Sequence, residues 1–312
     1  MSTPGPATSC TPTQAVRVRA ALVSRLADYV ELTKPRIAVL AMAAVVVGYL
    51  LGSQGESAGL ALMHATGGIL LVAIGSTVLN QYLERDVDAQ MQRTADRPLP
   101  SGRLTSREVL LFGLATGLLG VVHLAVFVNA LTAGLALITL ALYTLVYTPL
   151  KRMTPLCTAV GAISGALPPV LGWTAAGGQL DQAAFALFAI LFIWQFPHFL
   201  AIAWLYREDY ERAGLRMLPS RKPLARVTAL HALAYALVLI PVSLLPCRFG
   251  LAGSASVYSL VALLLGLSYV AGSLRFLWRE TPQTARGLIY ISLIYLPGLL
   301  LVLTWEHFQL LR

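Results

Sequence analysis

Residues 80 to 107 carry an unusual concentration of groups that can do chemistry: Asn80-Gln-Tyr-Leu-Glu84-Arg-Asp86-Val-Asp88, then Arg93-Thr-Ala-Asp96-Arg97-Pro-Leu-Pro-Ser-Gly-Arg103, and Arg107. Only 12% of the chain is charged, and this stretch follows a long apolar run. Asn80, Glu84 and Asp88 are spaced i, i+4, i+8 and stack on one helix face. Like charges so close repel, and a hard divalent cation such as Mg²⁺ removes the repulsion while sharing its shell with a substrate's phosphates. The arginines that follow suit the same phosphates. A plainer reading also fits: a solvated helix end whose acids pair locally with Arg85 and Arg93.

A second cluster has the same outline. Tyr206-Arg-Glu208-Asp209-Tyr210-Glu-Arg212-Ala-Gly-Leu-Arg216-Met-Leu-Pro-Ser-Arg221-Lys222 also ends an apolar run, and R-x-L-P-S recurs in both. Two acid clusters, each followed by basic residues, suggest two halves of a bundle facing one cavity. They suit a ligand with two phosphates and a long apolar tail. The reaction such a site favours is loss of diphosphate from an allylic prenyl chain, with metal and cations stabilising the leaving group. The carbocation then needs a dry, aromatic wall. Tyr143, Tyr147, Trp173 and Trp194 are candidates for it, or ordinary packing.

The elements that must position these groups cross a membrane. Of the 312 residues, 57% are hydrophobic, in continuous apolar runs of about 20 residues that fit helical spans and exclude an alternating barrel. Nine spans are expected, near 37–52, 62–83, 108–128, 130–148, 156–176, 184–205, 227–246, 255–274 and 287–305. On this plan all of the 23 Lys and Arg residues except Arg248 and Arg312 fall on one side. That asymmetry argues against nucleic acid as the reason for the +9 charge and places the N-terminus in the cytoplasm. The double proline Pro168-Pro169 should break span five, whose small residues permit close packing.

Residues 1–14 read as a disordered tail. Residues 15–36 read as an interfacial amphipathic helix, with Leu22, Leu26 and Tyr29 on one face and arginines on the other, and 37–312 as the transmembrane domain. The basic, acid-free start leaves a short organellar presequence open. Cys157 and Cys247 fall at opposite membrane faces, so they cannot pair, and no Cys/His metal spacing occurs.

Asn80-Gln-Tyr-Leu-Glu84-x-x-x-Asp88 resembles the first acidic motif of the UbiA-type intramembrane prenyltransferases. Leu32-Thr-Lys34-Pro-Arg36, Met91-x-Arg93-Thr-x-x-Arg97-Pro-Leu-Pro, Lys151-Arg152-x-Thr-Pro155, Gly165-Ala-x-Pro168-Pro169-x-x-Gly172-Trp173 and Pro197-His198-Phe199 through Asp209-Tyr210-x-x-Ala-Gly214 resemble the haem-farnesylating branch of that family. The resemblance implies an all-α bundle of about nine helices around a central cavity. It implies transfer of farnesyl from farnesyl diphosphate to a vinyl group of protohaem IX (haem B), giving haem O for terminal oxidases. Prenylation of an aromatic or quinone precursor is the alternative. Carried over, Asn80, Glu84 and Asp88 would hold Mg²⁺, Glu208 and Asp209 would complete the metal cluster, and Arg93, Arg97, Lys151 and Arg152 would bind diphosphate. Asn80, Glu84, Asp88, Lys151 and Asp209 would form the catalytic set. Gln81 stands where the family usually has Asp, and the usual D-x-x-x-D of the second motif falls on Tyr206 and Tyr210. The implied setting is a bacterial inner membrane, with a mitochondrial inner membrane as the lesser choice and a haem A synthase or terminal oxidase assembly as partner.

His198 precedes Asp209 by eleven residues, which puts it roughly 16 Å deeper on one continuous helix face. It is a candidate ligand for haem iron, or an intramembrane histidine bonded to a carbonyl freed by Pro197. His123, without polar neighbours in sequence, reads as packing.

Overall fold

The computed structural model describes residues 23–53, 59–216, 225–253 and 255–312. The tail at 1–14, most of the 15–36 segment before residue 23, and the Pro-Ser-Arg-Lys part of the second R-x-L-P-S repeat lie outside the described residues. Among the described residues the only regular secondary structure is helix. Helix α1 covers 23–32 and α2 is Pro35–Gly52, with Pro35 at a helix start where its missing N–H costs nothing. Then come α3 (Gly59–Asp88), α4 (Ser106–Phe127) and α5 (Ala130–Ala141), which continues through a π-helical stretch, Leu142–Tyr147, into α6 (Thr148–Leu150). Helices α7 (Cys157–Ala166) and α8 (Pro168–Ala175) are followed by α9 (Gln182–Leu205), α10 (Arg207–Arg212), α11 (Ala225–Ser243), α12 (Leu245–Arg248), α13 (Val257–Trp278) and α14 (Pro282–Leu310).

Eight segments among these residues are each long and apolar enough to cross a membrane. The ninth crossing is the broken one that the double proline predicts: α7 and α8 meet at Leu167, where Pro168 and Pro169 cannot continue the hydrogen-bond ladder. Together they return the chain to the side where α5 begins, because Asn129, which caps α5, donates its amide to the Thr174 carbonyl (2.8 Å), and Thr132 Oγ1 donates to Thr174 Oγ1 (3.0 Å).

Two apolar clusters organise the bundle. One joins α3, α4 and α5 through Ile69, Val72, Leu79, Leu124 and Ala136; the other joins α9, α11, α13 and α14 through Leu187, Ile190, Leu239, Tyr269, Leu288 and Tyr295. Helices α2 and α8 form the seam, giving Val45 and Leu171 to the first and Val47, Leu51, Val170 and Trp173 to the second. They cross backbone to backbone: a Cβ on Gly172 would lie 1.9 Å from the Val45 carbonyl oxygen, and one on Gly48 would lie 1.9 Å from that of Pro169.

The short helix α1 differs from its expected amphipathic arrangement. Val23, Leu26 and Val30 are exposed together, whereas Tyr29 turns inward, edge-on to Phe112 of α4 with ring centroids 5.1 Å apart. Leu22 lies outside the described residues. The polar face is tied down: Arg25 pairs with Glu108, and Arg103 pairs with Asp28 and with Glu31 (2.8 Å).

Candidate active site

The first acidic motif closes α3, and the helix delivers the expected stack. Asn80, Glu84 and Asp88 share one face and are all buried, Asp88 to 1% exposure. Each meets a partner from a different segment. Asn80 Nδ2 donates to Thr148 Oγ1 (2.9 Å), Lys151 Nζ lies 2.8 Å from Glu84 Oε1, and Arg97 Nη1 lies 2.6 Å from Asp88 Oδ2. The acids therefore pair with Lys151 and Arg97 rather than locally with Arg85 and Arg93. Arg85 instead reaches Asp86 (3.7 Å) and the Tyr82 carbonyl.

The π-helical stretch sets the far side of this site. Pro149 has no N–H and its ring crowds the carbonyl four residues back, and the preceding turn widens so that the Thr148 N–H reaches the Tyr143 carbonyl, five residues behind. The Thr148 hydroxyl donates to the same carbonyl (2.8 Å) and accepts from Asn80. Such widened turns recur at functional sites. Tyr143 and Tyr147 pack against each other at a tilt within the stretch (centroids 5.1 Å, planes 36° apart), and Lys151 Nζ lies 4.4 Å from the Tyr147 ring centroid. Burial works against the Lys151 ammonium, but Tyr147 and Glu84 outweigh it and hold Lys151 above the usual lysine range.

Lys34 joins this charged group, which the spacing of charges did not reveal. It is the only described residue other than glycine with positive φ (49°), a left-handed conformation that costs about 1–2 kcal/mol for an L-residue. That turn ends α1, caps α2 and sends the lysine among Arg97, Lys151, Glu84 and Asp88. Burial first, then Arg97 and Lys151, push Lys34 down to about 7 against the pull of the two acids. The signal in sequence was Thr-Lys-Pro, since a residue before proline is steered out of the helical region. Gln81, in the position usually held by Asp, is spent on structure: its amide donates to the Leu32 carbonyl (2.8 Å) beside this turn.

The second cluster lies beside the first but not as the continuous helix face expected. The helix breaks at Tyr206 (φ −107°, ψ 22°), so α10 sets its own direction. Tyr210 is buried with Val87, Met91, Ala203, Ala213 and Leu215, which docks α10 on the end of α3. Burial raises the Tyr210 phenol, whose charged neighbours are Arg93, Lys151 and Glu84. The Arg216 N–H donates to the Lys151 carbonyl (2.8 Å), and the Arg93 guanidinium lies 4.9 Å from the Tyr206 ring centroid. The two positions usually held by Asp thus carry tyrosines that pack toward the first cluster. Asp209 is half-buried and faces Arg212 (3.5 Å). Glu208 is exposed and faces Arg207 (3.4 Å). Arg152 is exposed, outside the paired network.

Deeper in α9, His198 stacks on Trp194 (centroids 5.4 Å) and bonds through Nδ1 to Ser292 Oγ of α14 (2.6 Å), not to a carbonyl freed by Pro197. Trp173 is buried, its indole donating to the Gln179 carbonyl away from the acids. His123 has a polar neighbour after all, His64, at 3.3 Å.

The polar end of this bundle sets carboxylates beside cationic side chains. The acid donors are hard oxygens, and Glu84 Oε1 is buried with an ion-pair contact but no aligned hydrogen bond. No three His, Cys, Asp or Glu side chains among the described residues converge on one point. Mg²⁺ does not require that, taking one or two carboxylates and completing its shell with water and substrate phosphate. The UbiA prenyltransferase family matches residues 41–296. The chain belongs to that family. Within it, the chain is 47% identical to the protoheme IX farnesyltransferase of Solibacter usitatus, over 88% of this chain and 98% of that protein, and 43% identical to that of Koribacter versatilis, over 93% and 96%. The UbiA fold is also that of a digeranylgeranylglyceryl phosphate synthase structure (TM-score 0.76, 19% identity, 92% of this chain and 99% of that one). A UbiA homologue from Archaeoglobus fulgidus bound to DMAPP and Mg²⁺ has a TM-score of 0.60 at 18% identity, covering 89% of this chain and 99% of that one.

Proposed function

We propose that this membrane enzyme transfers a farnesyl group from farnesyl diphosphate to a vinyl group of protohaem IX, forming haem O. The observation that carries the diphosphate half of this reading is the buried pairing of Glu84 with Lys151 and Asp88 with Arg97. Two part-buried cations held by two buried acids can exchange partners without stranding a charge. Lys151 and Arg97, joined by Lys34, would bind the diphosphate, and Asn80, Glu84 and Asp88 would hold the metal, with Asp209 and Arg93 at the edge. Glu208 and Arg152, both exposed, would have to turn inward to join them.

Mg²⁺ held there would supply charge neutralisation to the diphosphate oxygens and make the diphosphate a better leaving group. The chain's own cations stabilise the charge that develops as the allylic C–O bond breaks. Tyr143 and Tyr147 offer ring faces to the farnesyl cation. The vinyl electron pair forms the new C–C bond and leaves the positive charge on the carbon next to the porphyrin ring; water adds to that cation and gives up one proton to the released diphosphate, which ends the sequence at the hydroxyethylfarnesyl side chain. Identity to protoheme IX farnesyltransferases supports the acceptor, and His198 is the group that would meet its iron. The basic face corresponds to the cytoplasm of a bacterial inner membrane, and the product would pass to a haem A synthase or a terminal oxidase.

The test is incubation of membranes containing the protein with haem B, farnesyl diphosphate and Mg²⁺, followed by mass analysis of extracted haem. A hydroxyethylfarnesyl adduct that EDTA abolishes is expected. Prenylation of an aromatic or quinone precursor, with haem untouched, would overturn the acceptor while keeping the diphosphate chemistry.

A further inference from the structure

The hydrogen bonds around His198 determine which ring nitrogen carries its proton. Nδ1 lies 2.6 Å from Ser292 Oγ, and that same oxygen lies 2.6 Å from the Ile289 carbonyl. A serine hydroxyl has one proton and a backbone carbonyl can only accept. The Ser292 proton therefore goes to Ile289, and toward the imidazole Ser292 can only accept. Nδ1 must donate, which leaves the lone pair on Nε2. Among the described residues Nε2 has no hydrogen-bond partner, and the His198 side chain is only part-buried. Ring orientation is fixed by the same residue: Trp194, stacked on His198 at 15°, donates its indole N–H to the Ser292 carbonyl (2.9 Å), and Tyr269 donates to the Trp194 carbonyl (3.1 Å). Ser292 itself is fully buried.

A neutral imidazole with Nδ1–H held by an acceptor and Nε2 open is the form that ligates iron, and the acceptor partner tunes both orientation and basicity. We propose that Ser292 is a positioning residue that holds His198 as the Nδ1–H tautomer and presents Nε2 to the iron of the tetrapyrrole substrate. This inference rests on the haem reading given above.

Two measurements separate the inference from that reading. The first needs no haem: ¹⁵N NMR of the full chain labelled at histidine, with the His198 signal assigned by its loss in H198A. The Nδ1–H pattern is expected in the wild type and its loss in S292A; an Nε2–H pattern in the wild type, or an unchanged one in S292A, overturns the proposal. The second is titration with haem B, followed by the Soret band and the Fe–N(His) stretch in resonance Raman. H198A should lose the axial-histidine band, and S292A should bind haem about 10- to 100-fold more weakly with that band shifted to lower frequency. S292A with wild-type affinity and band overturns the role of Ser292. H198A with an unchanged haem spectrum overturns the haem-ligand reading beneath it.

Discussion

Lys151 Nζ stands 2.8 Å from Glu84 Oε1, each side chain only 12% exposed. The lysine comes from the loop after a widened helix and the acid from the last turns of α3, so the contact fixes one segment against the other. A buried pair of this kind is weak evidence for stability, but loss of one partner leaves a charge that nothing balances, at a cost of about 3–5 kcal/mol.

E84Q should therefore lose both thermal stability and at least about 100-fold in turnover. The double variant E84Q/K151Q should recover the unfolding temperature while remaining inactive. Thermal unfolding in detergent beside product formation separates the two effects; a double variant as unstable as E84Q would show that the pair is not what the acid stabilises.

Burial and the neighbouring Arg97 and Lys151 disfavour the charged form of Lys34 more than Glu84 and Asp88 favour it, and a bound polyanion would reverse that balance. K34M should unfold no more readily than the wild type, yet bind prenyl diphosphate roughly 10- to 100-fold more weakly, the worth of one charge-assisted hydrogen bond. A KM for the diphosphate unchanged by K34M would remove Lys34 from the site.

Metal dependence should track the first cluster rather than the second. D88N should need a higher Mg²⁺ concentration for half-maximal rate, or show no rate at all, because Asp88 is buried and aimed into the site. E208Q and R152Q, both exposed, should stay within about threefold of wild type, as surface substitutions do. Magnesium titrations of the three variants check this, and an E208Q as impaired as D88N would mean that α10 turns on binding substrate.

The Arg103 bridge to Asp28 and Glu31 ties the loop bearing Arg97 to α1. R103A should release α1 and raise amide hydrogen exchange in residues 23–32, with a smaller loss of turnover than R97A. Unchanged exchange in α1 would mean that Tyr29 against Phe112 and the Arg25–Glu108 pair suffice to hold the helix.

The parts of this structure legible in sequence are those set by short-range geometry. Asn80, Glu84 and Asp88 stack because a helix has 3.6 residues per turn, and the crossings, including the one broken at Pro168-Pro169, follow from apolar length and the alternation of basic loops. What stayed hidden depends on contacts between distant segments or on a local break in regularity. Thr148 reaches Asn80 only because a π-helical turn rotates it. Lys34 enters the site through one left-handed residue. Asp209 was expected to share the face of His198, but the break at Tyr206 reorients α10 and leaves Tyr210 as the residue that docks. The partner of His198 was unreadable, since Ser292 lies on the last helix.

The widened stretch at Leu142–Tyr147 is in effect a one-residue insertion in an otherwise regular helix. Deleting any one of its residues would restore a regular ladder and shorten the rod, and by the 3.6-residue turn would swing everything beyond it by about 100°. Thr148 and Lys151 would then leave Asn80 and Glu84 and face another neighbour. The irregular turn thus works as a phase adjuster between two helical registers, one set by packing in the apolar bundle and the other by the charges at its end.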